Sequence, residues 1–189
     1  WWIVEKVTLK EIIKLNPSDL VGKIIVFPTD TVYGVACLYG DDLGKEKIYE
    51  MKKRDYGKPL PVLCSSLKQA NEISHLENNK YTNLWPGALT IVVRTKPYKN
   101  VTSETVAIRI PNSSIALEVI DHFGPLYTTS VNYSGEKEIN TVSEIENRFS
   151  KYVDYIVTDE ASFSRVPSTV IDCTKENVKV LREGSIKIN

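Results

Sequence analysis

The residues of this chain best suited to chemistry are cations and hydroxyls gathered at the ends of apolar runs. In Lys52-Lys53-Arg54-Asp55-Tyr56-Gly57-Lys58-Pro59-Leu60, the cations leave a helical stretch and enter an apolar run through a Gly/Pro turn. Lysine as a point charge and arginine as a planar fork can neutralise a polyphosphate and stabilise pyrophosphate as it departs. A solvated basic helix end, favoured by the helix dipole, would carry the same residues. The stretch Pro28-Thr29-Asp30-Thr31-Val32-Tyr33-Gly34 follows a Val/Ile-rich run. Its position at a strand end suits the convergence of hydroxyls and amides on a small polar molecule, as ligands gather beyond strand ends in layered α/β proteins. From spacing alone an ordinary tight turn accounts for the same residues. Thr128-Thr129-Ser130-Val131-Asn132-Tyr133-Ser134-Gly135 repeats the pattern, with Ser130 and Asn132 two apart and so on one face if extended. Arg109 lies inside an apolar run before Pro111, and Arg182 follows another before Gly184. Partial burial of Arg109 calls for an anionic partner, either a substrate carboxylate or an acid of the fold.

What is missing narrows the chemistry. The chain has no GxxxxGK[ST], no GxGxxG after a strand and no GxSxG, so any nucleotide site is not of the P-loop or dinucleotide type and no serine hydrolase is indicated. His75 and His122 stand apart, with nothing resembling a nucleophile–base pair around them. The three cysteines, Cys37, Cys64 and Cys173, fit neither a disulfide framework nor a CxxC site, which implies a reducing, cytoplasmic location. Too few ligand side chains are suitably spaced for a structural metal. Equal numbers of basic and acidic residues, 24 each, give no reason for tight non-specific binding to nucleic acid or an anionic membrane. No apolar run approaches the roughly 20 residues of a membrane span, and the opening Trp1-Trp2-Ile3-Val4-Glu5 lacks the form of a secretory signal.

The elements that must position these groups read as an α/β domain. Its 189 residues, 42% hydrophobic, suit one domain over residues 1–189 with a substantial core. Val- and Ile-rich runs predict strands at Lys23–Phe27, Pro61–Cys64, Leu89–Arg94, Val106–Ile110, Leu126–Ser130, Asp154–Val157, Thr169–Asp172 and Val178–Leu181. Three- and four-residue apolar spacing predicts helices at Leu9–Leu15, Gly44–Lys53, Leu67–Ser74, Ile115–Phe123 and Ser143–Phe149, the last opened by a Ser143/Glu146 capping box. The last two strands have no helix between them, so the sheet should be mixed.

Taken together, the segments resemble the YrdC-type threonylcarbamoyl-adenylate synthases nearly end to end. Phe27–Gly34 is similar to the family's PT(E/D)TVYGL block, and Lys52-Lys53-Arg54 with Ser130-Val131-Asn132 matches its paired KxR and SxN signature. Further matches are Lys58-Pro59-Leu60, Trp85–Thr90, Val106–Pro111, Pro167–Asp172 and Leu181–Gly184. The resemblance implies a YrdC-like twisted mixed sheet with flanking helices enclosing a large, positively lined cavity. It implies that Lys52, Arg54, Ser130 and Asn132 are catalytic and hold ATP together with Lys58 and Arg182. Thr29, Thr31, Tyr33, Arg109 and Ser168 would contact L-threonine or frame its pocket. Mg2+ would arrive with ATP. Val131 and Tyr133 depart from the family pattern beside SxN, and Asn112-Ser113 replaces a pair in which histidine is common.

The expected reaction joins L-threonine, bicarbonate and ATP into threonylcarbamoyl-AMP, which a downstream threonylcarbamoyl-transferase complex would pass to adenosine of tRNA. Such chemistry needs positioning and charge neutralisation more than a covalent nucleophile. Asp30 is a weak candidate for a general base. One rival is a double-stranded RNA or tRNA-binding module of the same fold; weak RNA binding is also a secondary expectation for the synthase. Phosphate-binding cations should then cluster on an outer surface rather than in a cavity. A second rival is the carbamoyl-transfer module of hydrogenase maturation, whose usual acylphosphatase and zinc-binding neighbours are not found in this sequence.

Overall fold

The computed structural model describes residues 3–189; Trp1 and Trp2, part of the opening segment considered above, lie outside the described residues. In chain order the elements are β1 (Glu5–Val7), α1 (Leu9–Ile12), β2 (Ile25–Pro28), β3 (Tyr33–Leu38), α2 (Asp42–Lys52), β4 (Val62–Leu63), α3 (Leu67–Ile73), β5 (Leu89–Arg94), β6 (Thr105–Arg109), α4 (Ser114–Phe123), β7 (Leu126–Ser130), α5 (Val142–Phe149), β8 (Tyr155–Val157), β9 (Thr169–Asp172) and β10 (Lys179–Arg182). Short 3-10 turns cover Pro17–Leu20 and Lys80–Leu84.

Ten strands join one twisted sheet in the order β1-β8-β2-β3-β7-β4-β6-β5-β9-β10. It is mixed, as the two helix-free C-terminal strands required: β9 and β10 are antiparallel while β5 and β9 run parallel. Alternation along the strands sorts side chains into two cores. Ile24, Val26, Val35 and Cys37 face one layer with Ile48 and Met51 of α2, Ile73 of α3 and Phe149 of α5. Ile25, Phe27, Ala36 and Leu38 face the other, against Ile12 of α1 and Val119, Ile120 and Phe123 of α4.

Two strands were not expected. In β3 all six residues are buried, so polar alternation is missing, and its Gly, Ala and Cys carry weak strand preference. Three-residue β1 is too short for periodicity to show. The Ser143/Glu146 capping box is not formed. Thr141 caps α5 instead, its hydroxyl accepting from the Glu144 amide. A capping box does open α1: Thr8 Oγ1 accepts from the Glu11 amide, and the Glu11 carboxylate accepts from the Thr8 amide.

Candidate active site

The hairpin from β2 to β3 places Thr29 and Thr31 at its turn. Thr29 Oγ1 donates to the Val32 carbonyl at 2.6 Å and accepts from the Thr31 and Val32 amides, which fixes this turn. Behind it, Gly34 lies so close to β7 that a Cβ there would come 2.6 Å from Thr128 Cγ2. The hydroxyls of the hairpin and of the β7 end thereby reach one cavity.

That cavity, about 180 Å³, is lined by Thr29, Thr31, Ser130, Arg109, Ser168 and Arg182 among the expected residues. Arg109, 6% exposed, comes from the end of β6 and pairs with Asp30 Oδ1 at 2.7 Å. Its Nη1 also donates to the Gly87 carbonyl and its Nη2 to Thr31 Oγ1. A guanidinium has five donors, so Nε and one Nη2 proton have no partner among the described residues, and these two can take a carboxylate side-on. Both oxygens of Asp30 are engaged, since Oδ2 accepts from the Asn112 amide at 3.1 Å. This carboxylate orients Arg109, with one oxygen on the guanidinium and the other on the Asn112 amide.

Among the described residues Arg182 has no acid as partner. It donates to the Ser168 carbonyl at 2.9 Å and to Ser168 Oγ at 3.0 Å, and Thr90 Oγ1 joins the same hydroxyl at 2.8 Å. Although much of the residue is exposed, the guanidinium is partly buried near Arg109, and both effects lower its pKa. The juxtaposition depends on Gly184: a Cβ there would fall 2.4 Å from the Pro167 carbonyl oxygen and 2.7 Å from the Thr169 amide. Two separated sequence blocks, around Ser168 and around Arg182, meet through that contact.

Lys52 and Asn132 stand directly behind Ser130. Lys52, the last residue of α2, is 2% exposed. Its ammonium donates to the Ser130 carbonyl at 2.6 Å, Asn132 Oδ1 at 2.8 Å and Thr129 Oγ1 at 3.2 Å, with Ser130 Oγ at 3.5 Å. Burial, reinforced by nearby Arg54, lowers its pKa to about 7. Ser130 Oγ donates to Asn132 Oδ1 at 2.8 Å, so the two side chains do converge, though in the bend beyond β7 rather than along a strand. The Ser134 amide donates to the Lys52 carbonyl, tying the bend to the helix end a second time.

Five expected residues do not line the cavity: Lys52 and Asn132, which stand behind Ser130, and Tyr33, Arg54 and Lys58. The Tyr33 ring packs on Phe163, with centroids 4.9 Å apart. Arg54 donates to the carbonyls of Lys58 and Pro59, and the exposed Lys58 lies in that same turn. Conversely Arg165 and Glu138 line the cavity without having been singled out. Arg165 sits in a polar segment without periodicity, and Glu138 in an alternating-charge loop that reads as a solvated turn. The departures around SxN belong to packing: Val131 is fully buried and Tyr133 lies against Phe149. Asn112 and Ser113 line a neighbouring cleft of about 570 Å³ that shares Thr29 with the cavity. The segment between cleft and cavity carries Glu160–Ser164 on one side and Arg165, Pro167 and Ser168 on the other.

Comparisons with known proteins show the family and the fold. The family model described as "Sua5_yciO_yrdC: Telomere recombination" matches residues 20–184. A protein of Methanocaldococcus jannaschii named putative threonylcarbamoyl-AMP synthase is 32% identical over 180 residues, covering 92% of this chain and 86% of its own. The crystal structure of P. abyssi Sua5 complexed with L-threonine superposes with a TM-score of 0.82 at 28% identity, over 96% of this chain. This chain spans only 57% of that one. E. coli YciO superposes with a TM-score of 0.83 over 98% of this chain and 97% of its own; at 24% identity it shows the shared fold.

Proposed function

The chain belongs to the Sua5, YciO and YrdC family, and from that membership we propose that it is an L-threonylcarbamoyladenylate synthase, a nucleotidyltransferase that joins L-threonine, bicarbonate and ATP. The products are threonylcarbamoyl-AMP and pyrophosphate, the former serving N6-threonylcarbamoyladenosine formation in tRNA through a downstream transferase complex. The observation that carries the reading is the convergence of Arg109, Arg165 and Arg182 with the Thr29, Thr31, Ser130 and Ser168 hydroxyls on one cavity. Three cations there suit anionic reactants, and cations facing a cavity favour a small-molecule enzyme over an RNA-binding module.

In this reading the free edge of Arg109 receives the threonine carboxylate, while Thr29, Thr31 and Ser168 frame the amino acid. Ser130 and Asn132, braced by Lys52, hold nucleotide and phosphate oxygens, and Arg182 offsets the charge of the triphosphate. Arg54 and Lys58 line neither the cavity nor the adjoining cleft, so their expected hold on ATP would fall to parts of it beyond both. The amine, carboxylated by bicarbonate, attacks the α-phosphate in line and pyrophosphate departs. The enclosed cavity, about 180 Å³, is below the roughly 300–1,000 Å³ of small-molecule sites, so ATP would extend towards the adjoining cleft. Mg2+ would be carried by ATP and held chiefly by phosphate oxygens, since no group of three His, Cys, Asp or Glu gathers among the described residues.

The three free thiols fit a cytoplasmic protein, and no helix among the described residues is long and apolar enough to cross a membrane. Pyrophosphate release should require threonine and bicarbonate together, because the nucleophile exists only after they combine. Equal release with either omitted would refute the assignment.

A further inference from the structure

Resting on the synthase reading, we propose that Glu138 receives the α-ammonium group of the amino-acid substrate and accepts the proton that the nitrogen must lose. Three guanidinium groups, of Arg109, Arg165 and Arg182, answer the anions of the reactants. An amino acid also brings a cation. Among the residues lining the cavity, Glu138 is the single carboxylate. Asp30, close by, has one oxygen on Arg109 and the other on the Asn112 amide.

Glu138 is half-buried and, among the described residues, forms no ion pair and accepts no hydrogen bond, although three arginines line the same cavity. Its position is fixed from both sides. The Ile139 amide donates to the Val131 carbonyl, and Asn132 Nδ2 donates to the Glu136 carbonyl at 2.7 Å, folding the loop back over the end of β7. The loop thereby brings Glu138 to the same cavity as Ser130 and close enough to Lys52 for its charge to act on that ammonium.

Chemistry demands such a group. Threonine at neutral pH is an ammonium, without a lone pair, and cannot form a bond to carbon until a proton leaves. The carboxylation converts ammonium and bicarbonate into an N-carboxylate and water with release of one proton. The N–C bond forms as one C–O bond of bicarbonate breaks, and the released proton goes to the Glu138 carboxylate and then to solvent. The arginines remain protonated and cannot accept it. The Lys52 nitrogen is already engaged by the Ser130 carbonyl, Asn132 Oδ1 and Thr129 Oγ1.

The test compares threonine with 3-hydroxybutyrate, which is threonine without the ammonium group, by calorimetric titration of the native protein and Glu138→Gln. Glutamine preserves size but neither charge nor basicity. Native protein should prefer threonine by about tenfold to a hundredfold, the range for a hydrogen bond to a charged group, and Glu138→Gln should lose most of that preference. ATP affinity should be unchanged, and the rate of adenylate formation at saturating threonine should fall, with partial recovery in Glu138→Asp. An unaltered preference in a folded Glu138→Gln that still makes adenylate would overturn the role of Glu138 and leave the synthase reading intact. Native protein that binds neither compound would remove both.

Discussion

Lys52 and Arg109 show how a cation near a reaction can act through the protein. The three protons of the Lys52 ammonium are directed to Ser130, Asn132 and Thr129, so in the proposed mechanism it acts on phosphate through the Ser130 and Asn132 groups that it orients. Its pKa, lowered to about 7 from 10.5, also couples it to stability. Above about pH 7 the folded chain has released a proton that the unfolded chain retains, so stability rises with pH until the ordinary lysine value. Buried Cys37 and Cys64, whose thiols are pushed up by burial, work in the opposite sense as the unfolded thiols begin to ionise near about pH 8.5, which sets the upper end of the window. The urea midpoint should therefore rise between about pH 7 and pH 8, and this rise should be smaller in Lys52→Met. An identical slope in both proteins would place the coupling elsewhere. For Arg109→Ala, two effects should appear together. Leaving Asp30 without its cation should cost about 3 kcal/mol, the lower end for a buried pair, because Asp30 keeps some access to water. The threonine requirement should rise while ATP binding is retained. A lower melting temperature with unchanged threonine binding would make the ion pair wholly structural.

At the scale of elements, caps and close approaches decide what periodicity leaves open. The cap of α5 is Thr141, so Thr141→Ala should destabilise by about 1 kcal/mol while Ser143→Ala changes little, as read from denaturant midpoints at constant slope. The reverse order would restore the Ser143 cap. Apolar runs made β5, β7 and β9 legible to the residue: Leu89–Arg94, Leu126–Ser130 and Thr169–Asp172 all stand where the sequence predicts. It could not show β3, buried on both faces, because nothing polar marks its rhythm. In the site, hydroxyls at strand ends and two arginines after apolar runs were visible as Thr29, Thr31, Ser130, Ser168, Arg109 and Arg182. Glu138 and Arg165 were hidden because only the fold-back of a loop turns them inward. Local chemistry also gave no sign that Asp30 would orient Arg109, since the two are 79 positions apart.

On the scale of the whole molecule, the sheet brings the β2–β3 hairpin, the ends of β6 and β7 and the contact between Ser168 and Gly184 around one cavity. Balanced overall charge, 24 basic against 24 acidic residues, coexists with a cavity lined by Arg109, Arg165 and Arg182, so the proposed site for anionic reactants is this cavity. The central claim is that these residues assemble one product from three substrates. It is tested most directly by incubating the protein with ATP, threonine and isotopically labelled bicarbonate and identifying the product by mass spectrometry. The account predicts threonylcarbamoyl-AMP carrying the labelled carbon, formed in step with pyrophosphate and absent when threonine is omitted. Pyrophosphate accompanied by AMP alone, or an adenylate without the label, would contradict it.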